Sequence, residues 1–428
     1  MPPRPRPRPE THLRALGRCP GRPREDRARR SMRPLTGLAS PQGRIVVSLS
    51  PSLGSRERYL QRFASRPRSV VVQPDGFCNV ACTYCYLPEK DRRASMTTEV
   101  SRAIAQSIAD LATEDEPMDL VWHAGEPLAL GTSRFSELAN PFEGLRREGR
   151  LHHYVQTNGT LISDRWCEFF AEREVRVGVS IDGPASFNAE RVDRRGRPIF
   201  DRIIRGVARL HQHGIGFSVI AVVTADNIGR PEELLDFFAE LGCHTVGLNI
   251  EENEGANTVR PAPTFEAAAE FWARTIAWTR SNPGLIVREI DRLGAYLRAL
   301  RVGGGWQDVL IDPIPTISSA GDVVLLSPEL AGIKAPEYQD FQAGNVLELS
   351  IRDMLANAHL FRYVDEFLTG LDACEATCEY FGFCRGAQAG NRFFENGRFD
   401  TTETNYCRVS RQALLLALSD TVREETAP

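Results

Sequence analysis

The sequence predicts an α/β protein built on a parallel sheet, with six strand–helix units forming an open sheet or a partial (β/α)6 barrel. Three observations predict it. Continuous apolar runs recur along the middle of the chain, as strands buried on both faces require. Amphipathic helical patterns lie between them. Small and polar residues follow the runs, as turns do.

The strands are predicted over 69–74, 118–123, 151–159, 175–182, 216–223 and 245–250. One helix starts at Thr97, a good N-cap, with Val100, Ile104, Ile108 and Leu111 forming one apolar stripe. Another covers 231–242, with Pro231 at its start and Gly242 past its end. Beyond about residue 300 the pattern changes. Residues 319–327 read as a turn at Gly321 and then a strand. The segment after Cys374 is rich in Gly, Asn and aromatics, and a helix over 410–422 follows.

The 428 residues have a net charge of −4, which hides an asymmetry. Residues 1–31 hold 10 Arg, 7 Pro and 3 acids, leaving 42 basic and 53 acidic residues elsewhere. Such a segment reads as disordered, or as an upstream start with Met32 the true beginning. The acidic remainder argues against a nucleic-acid partner. No apolar run approaches the roughly 18 residues of a membrane span. No apolar stretch follows Arg29-Arg30 as an export signal needs, so a cytoplasmic enzyme is expected.

Ten cysteines carry the most information. Cys78, Cys82 and Cys85 form C-x3-C-x2-C; Cys374, Cys378 and Cys384 form C-x3-C-x5-C, followed by Cys407. Disulfides suit small secreted domains, not a large chain without a secretory signal. Zinc sites pair two knuckles or add His, and the first group has no fourth ligand nearby. Three thiolates on a [4Fe–4S] cluster leave one iron open, whereas four close a cluster completely. Cys19, Cys167 and Cys243 stand apart; the last two read as buried small hydrophobes.

Four consecutive strands end in small or polar residues. The three-cysteine loop follows the first, WHAGEPL (122–128) the second, QTNGT (156–160) the third and SIDGP (180–184) the fourth. In an α/β sheet these ends gather on the active face. His123 reads as a strand-end histidine bonded within the scaffold.

C-x3-C-x2-C with Tyr84 before its last cysteine, and Ala124-Gly125-Glu126-Pro127 one strand later, resemble the radical S-adenosylmethionine (SAM) enzymes. Their GGEP motif has Gly where this chain has Ala124. The resemblance implies a partial (β/α)6 TIM-type core over 66–300 and a SPASM-like domain with one auxiliary cluster over 301–428. Residues 1–65 remain as an N-terminal extension. It implies that Cys78, Cys82 and Cys85 hold a [4Fe–4S] cluster whose open iron binds SAM. Tyr84, Gly125, Glu126, Gln156, Thr157 and Asn158 would line the SAM pocket. Ser180 and Asp182 would meet the ribose, and Arg191 the methionine carboxylate. The hydrogen-abstracting species would be a 5′-deoxyadenosyl radical, so no catalytic side chain is named.

Cys374, Cys378, Cys384 and Cys407 are similar to the auxiliary-cluster half of a SPASM domain, with one residue inserted in the first spacing. Gln388 stands where a further cysteine is expected, and no Cys occurs over 244–373. One auxiliary [4Fe–4S] cluster with four protein ligands is therefore implied. Segments 327–346 and 378–408 resemble cyclophane-forming maturases of glycine-rich-repeat precursor peptides. Such enzymes join an aromatic ring to the β-carbon of a nearby residue, and the auxiliary cluster is a natural electron acceptor. The implied partners are a precursor peptide, a flavodoxin- or ferredoxin-type electron donor, and either a separate leader-binding protein or a leader added to a sheet edge. One alternative is a protein-modifying oxidoreductase like the anaerobic sulfatase maturases, which make formylglycine. Another is a non-catalytic metal-binding scaffold that captures a peptide.

Overall fold

In the computed structural model, the described residues are 54–88, 90–258, 260–306 and 309–426. Cys19 and the segment 1–31 lie outside them. From Pro51 onward the chain forms one compact unit.

Strand and helix alternate in the order the apolar pattern predicts. Helix α1 (Ser55–Arg62) precedes β1 (Ser69–Val72), and α2 (Thr98–Ala109) leads to β2 (Met118–Trp122). Helices α3 (Thr132–Ala139) and α4 (Glu143–Arg147) cross to β3 (Leu151–Thr157). Then come α5 (Asp164–Glu172), β4 (Arg176–Ser180), α6 (Phe200–Gln212), β5 (Phe217–Val223), α7 (Pro231–Leu241) and β6 (Thr245–Ile250). These six strands pair in parallel in chain order. The predicted α/β core is what the chain forms.

Local chemistry fixes the elements. Thr97 accepts a hydrogen bond from the Val100 N–H and starts α2. Pro231 opens α7, and Gly242, at φ 75°, ends it in the left-handed conformation. One face of the sheet is the buried apolar one, carrying Val70, Leu120, Val155, Val177, Val219 and Val246. The residues that alternate with them in β2, β3 and β5 are half-buried or exposed, so these strands alternate instead of being buried on both faces as the apolar runs predict.

Several strands stop short of their predicted ends. Over 73–74, 158–159 and 181–182 the chain leaves the ladder and turns, with Gly159 at φ 74° and Gly183 at φ 118°. The polar strand-end residues thus form loops on one face instead of continuing the sheet.

The sheet also extends beyond six strands. After α8 (Phe265–Ser281), the short β7 (Ile286–Val287) pairs with β6 and feeds α9 (Arg288–Arg301). At the other edge β8 (Thr316–Ile317) pairs in parallel with β1, followed antiparallel by β9 (Asp322–Val324) and β10 (Gln342–Asn345). The order is β10-β9-β8-β1-β2-β3-β4-β5-β6-β7. The remaining helices are α10 (Ile351–Ala356), α11 (Arg362–Thr377), α12 (Phe381–Cys384), α13 (Ala389–Asn396) and α14 (Ala413–Thr426).

The last predicted helix differs at its start. Residues Cys407–Gln412 wind as a wider π-helical turn before α14 begins. Such turns concentrate at functional sites, and this one carries Cys407, Ser410 and Arg411. The Trp272 indole on α8 donates to the Val409 carbonyl at 2.8 Å, tying the turn to the core. Among the described residues no helix is long and apolar enough to cross a membrane.

Candidate active site

A cavity of about 480 Å³ opens at the C-terminal ends of the parallel strands. The loop after β1 supplies Cys78, Cys82, Tyr84 and Cys85. The loop after β2 supplies His123 and Gly125, β3 and its end Gln156, Thr157 and Asn158, and β4 Ser180. Arg191 completes that side. All but two of the predicted pocket residues therefore meet around one space, with all three cysteines of the first group.

The cysteine loop is held on both flanks. Residues 190–194 zip against it: Ala81 N–H donates to Val192 O at 2.8 Å and Thr83 N–H to Glu190 O at 3.1 Å. Arg194 donates to Cys78 O at 3.0 Å. From below, the Glu126 N–H reaches Phe77 O at 2.8 Å. Gly125 sits at φ 57°, and a Cβ there would lie 2.5 Å from Phe77 O and 2.6 Å from Asp75 O. Only glycine lets the two backbones approach this closely. Asn158 bridges the next strand, donating to Asn79 Oδ1 at 2.8 Å, with Cys78 Sγ at 3.8 Å.

Glu126 and Asp182 do not line the cavity; they stand behind its wall. Glu126 is 1% exposed and accepts from Thr157 Oγ1, Asn158 N–H and Leu128 N–H. Burial pushes its carboxyl up to about 7 despite these donors. Asp182 accepts four bonds: two from Arg191, one from the Tyr84 hydroxyl at 2.5 Å and one from Val222 N–H at 2.8 Å. These take up its acceptor capacity, so it fixes Arg191 and Tyr84 in the wall. Ser180 lines the cavity and accepts from Gln156 at 2.8 Å.

His123 lies in the wall as well. Its Nε2 is 3.3 Å from the Tyr86 hydroxyl, and its Nδ1 has no partner. Burial brings its pKa down to about 4, so it is neutral at pH 7.

The C-terminal cysteines form a second group. Cys384 and Cys407 are hydrogen-bonded to one another, and that bond is the main cause bringing Cys384 down to about 6. The nearby Arg411 charge and the N–H groups of Gly386 and Ala387 act in the same direction. Those N–H groups reach the sulfur because Arg385, Gly386 and Ala387 all have positive φ, at 60°, 94° and 60°. Successive turned N–H groups make an anion-binding nest. Arg392 donates to Cys374 Sγ at 3.4 Å, and Gln412 to Cys407 Sγ at 3.4 Å. The Cys378 N–H bonds to Cys374 O at 2.8 Å. Cys167 and Cys243 are buried in the core and do not line the cavity.

Burial holds the Cys78, Cys82 and Cys374 thiols above the ordinary range, and the bond that lowers Cys384 raises Cys407. A bound metal's own charge would be what makes them thiolates. Among the described residues no three His, Cys, Asp or Glu side chains gather for a single metal ion. A cluster makes a different demand, since its thiolates bind separate irons around a space.

The other half of the cavity was not foreseen. It holds Glu252, Glu254 and Glu329, the arginines 288, 292 and 411, and Gln388 and Tyr406. The run EENE just beyond β6 was the available signal, being a polar strand end like the other four. The arginines on α9 and the π-helical turn had none, because a charged helix face usually reads as a solvated one.

Comparison with known proteins agrees with this arrangement. Residues 72–238 match the Radical SAM superfamily. A serine-type anaerobic sulfatase-maturating enzyme of Bacteroides thetaiotaomicron is 35% identical over 354 residues, covering 77% of this chain and 84% of that protein. The solved structure of anSMEcpe with bound AdoMet superposes with a TM-score of 0.66 at 19% identity, covering 83% of this chain and 98% of that one. Streptococcus suis SuiB bound to precursor peptide SuiA gives a TM-score of 0.61 at 17% identity, covering 82% and 77%. The chain belongs to the radical SAM superfamily, as an enzyme whose cofactors are S-adenosylmethionine and a [4Fe–4S] cluster.

Proposed function

We propose that this enzyme installs a carbon–carbon (cyclophane) crosslink in a ribosomally made precursor peptide, between an aromatic residue and the β-carbon of a residue nearby. One observation carries the reading. A single cavity runs from the three-cysteine loop to Tyr406, Ser410 and Arg411 beside the C-terminal cysteines. A peptide in it would lie between the two thiol groups.

In this reading Cys78, Cys82 and Cys85 hold the cluster that leaves one iron open. Tyr84, Gly125, Gln156, Thr157, Asn158, Ser180 and Arg191 shape the SAM pocket, with Glu126 and Asp182 as supports behind it. Cys374, Cys378, Cys384 and Cys407 hold the auxiliary cluster. When bound, cluster and SAM supply a one-electron cleavage whose product takes a hydrogen atom from carbon. The chain's own work is positioning and the exclusion of water. The Asp182 fork fixes Arg191, and the Gly125 contact fixes the loop. The crosslink removes two hydrogens in all. SuiB, solved with its precursor peptide, lends support to a peptide substrate. A flavodoxin- or ferredoxin-type protein would donate electrons, and a separate protein or an open sheet edge would bind the leader.

A second reading is favoured by the Bacteroides relative, which is a sulfatase-maturating enzyme. It would oxidise Ser or Cys to formylglycine. The cysteine inventory weighs against it, since such maturases normally use two auxiliary clusters and no Cys occurs over 244–373. Two measurements separate the readings. Iron analysis of the reconstituted enzyme should give about eight Fe per chain, for two four-iron clusters; about twelve would favour the rival. Co-expression with the peptide from a neighbouring reading frame should yield a product two hydrogens lighter and inert to hydrazide. A product that forms a hydrazone carries an aldehyde, and the crosslink reading would then be wrong.

A further inference from the structure

The cavity has two poles. Glu252, Glu254 and Glu329 form an acidic one. Burial, with the nearby charge of Glu329, pushes Glu252 up to about 8. Glu254 and Glu329 are also held above the ordinary carboxylate range, mainly by burial. Asn391 donates to both Glu252 and Glu254. This pole retains protons at neutral pH and carries less charge than three free carboxylates would.

Arg288, Arg292 and Arg411 form the basic pole. Arg288 and Arg292 lie one turn apart on the same face of α9, and Arg411 belongs to the π-helical turn. Their supply of counter-charge is unequal. Arg288 pairs with Glu289 at 2.7 Å and bonds Asn249 at 2.7 Å. Arg411 is 8% exposed; it donates to the Tyr406 hydroxyl at 2.7 Å, and its buried Nε has no partner. Arg292 lies over the rings of Trp306 and Phe383, at 5.4 and 5.7 Å, and forms no ion pair among the described residues. Burial, with the like charges of Arg411 and Arg288, lowers its pKa to about 10.

Buried cations are normally paired. Burial works to lower the Arg411 pKa, and Tyr406, Cys384, Glu289 and Glu252 already hold it up. Its Nε nevertheless stays unpartnered, and Arg292 has no carboxylate of its own among the described residues, so the pair keeps donors open to one more anion. The stacked rings pin Arg292 in place, which leaves its planar fork preorganised for a carboxylate. Arg191 already serves the three-cysteine side of the cavity, whereas this pair comes from α9 and the C-terminal segment. We infer that Arg292 and Arg411 bind a carboxylate carried by the substrate peptide close to the residue that is modified. The source is an Asp or Glu side chain or the peptide's C-terminus. The inference rests on the peptide-modifying function proposed above and adds the chemical class of its substrate.

The test uses the reconstituted full-length enzyme with SAM present and four defined probes. These are the pentapeptides Gly-Phe-Gly-Asp-Gly and Gly-Phe-Gly-Asn-Gly, each with a free and an amidated C-terminus, titrated by saturation-transfer NMR. A carboxylate-bearing probe should bind roughly tenfold or more tightly than its neutral counterpart, the discrimination that one charge-assisted hydrogen bond supports. The Asp/Asn arm and the free/amide arm identify the source. Arg292→Met should abolish the preference, and Arg292→Lys should keep part of it. Arg298→Met, at a position on the same helix whose side chain is 68% exposed, should leave it intact. Iron content and circular dichroism should show Arg292→Met loaded and folded before its binding is read. Equal binding of all four probes, or no binding of the acidic ones at millimolar concentration, overturns the inference. So does a loss of SAM affinity in Arg292→Met, which would place the arginine on the cofactor. If the wild type fails to cleave SAM, the proposed function fails while the carboxylate preference remains readable.

Discussion

Ala124 shows what one side chain costs at this site. In the related motif its position is glycine, and the structure supplies the reason. Ala124 has φ 68° and Gly125 φ 57°, two consecutive left-handed residues. That path brings the Glu126 N–H to Phe77 O and seats the cysteine loop. A left-handed non-glycine residue costs roughly 1–2 kcal/mol. Ala124→Gly should relieve this and lose about 0.4–1 kcal/mol to the extra freedom of the unfolded chain. The expected net gain is about 0.5–1 kcal/mol, read as a higher urea midpoint with an unchanged slope. A lower midpoint would show that the Ala124 methyl, 3% exposed, packs well enough to outweigh its strain.

At the scale of elements, the stretches with one dominant signal were legible. Helix α2 is an example: its stripe and its cap agree, and Val100, Ile104, Ile108 and Leu111 are all buried. The Thr97 hydroxyl accepts from Val100 N–H at 3.2 Å. Thr97→Ala should therefore cost about 1 kcal/mol of stability, as the loss of an N-cap does. No change by urea denaturation would mean that water replaces the cap. The π-helical turn over Cys407–Gln412 was not legible, because its residues have the composition of an ordinary helix start. Its geometry follows from tertiary demands: Cys407 bonds Cys384, Trp272 reaches Val409 O, and Arg411 enters the cavity. The short strands β7, β8 and β10 were missed for a similar reason. Two to four residues are too few to show a period, and pairing with β6, β1 and β9 defines them.

For the whole molecule, the sequence displayed the side of the cavity built from consecutive strand ends. It hid the side built from distant segments, since nothing local links Arg292 to Arg411 or Glu252 to Glu329. The two cysteine groups fall on the two sides of that division, which makes a division of labour testable. Replacing Cys78, Cys82 and Cys85 together by Ala should halve the iron to about four per chain. The fold should survive, because the loop is also held by residues 190–194 and by Gly125. All 5′-deoxyadenosine formation should cease. Replacing Cys374, Cys378 and Cys384 together should also leave about four iron, but SAM cleavage should persist while crosslinked peptide disappears. The C-terminal replacement removes thiols that Arg392 and the 385–387 nest were built to face, so that variant should lose stability as well. Circular dichroism must therefore confirm its fold before its activity is read. If the folded C-terminal variant still makes crosslinked peptide, the second cysteine group takes no part in the oxidation. If the first variant still cleaves SAM, the three-cysteine loop does not hold the catalytic cluster.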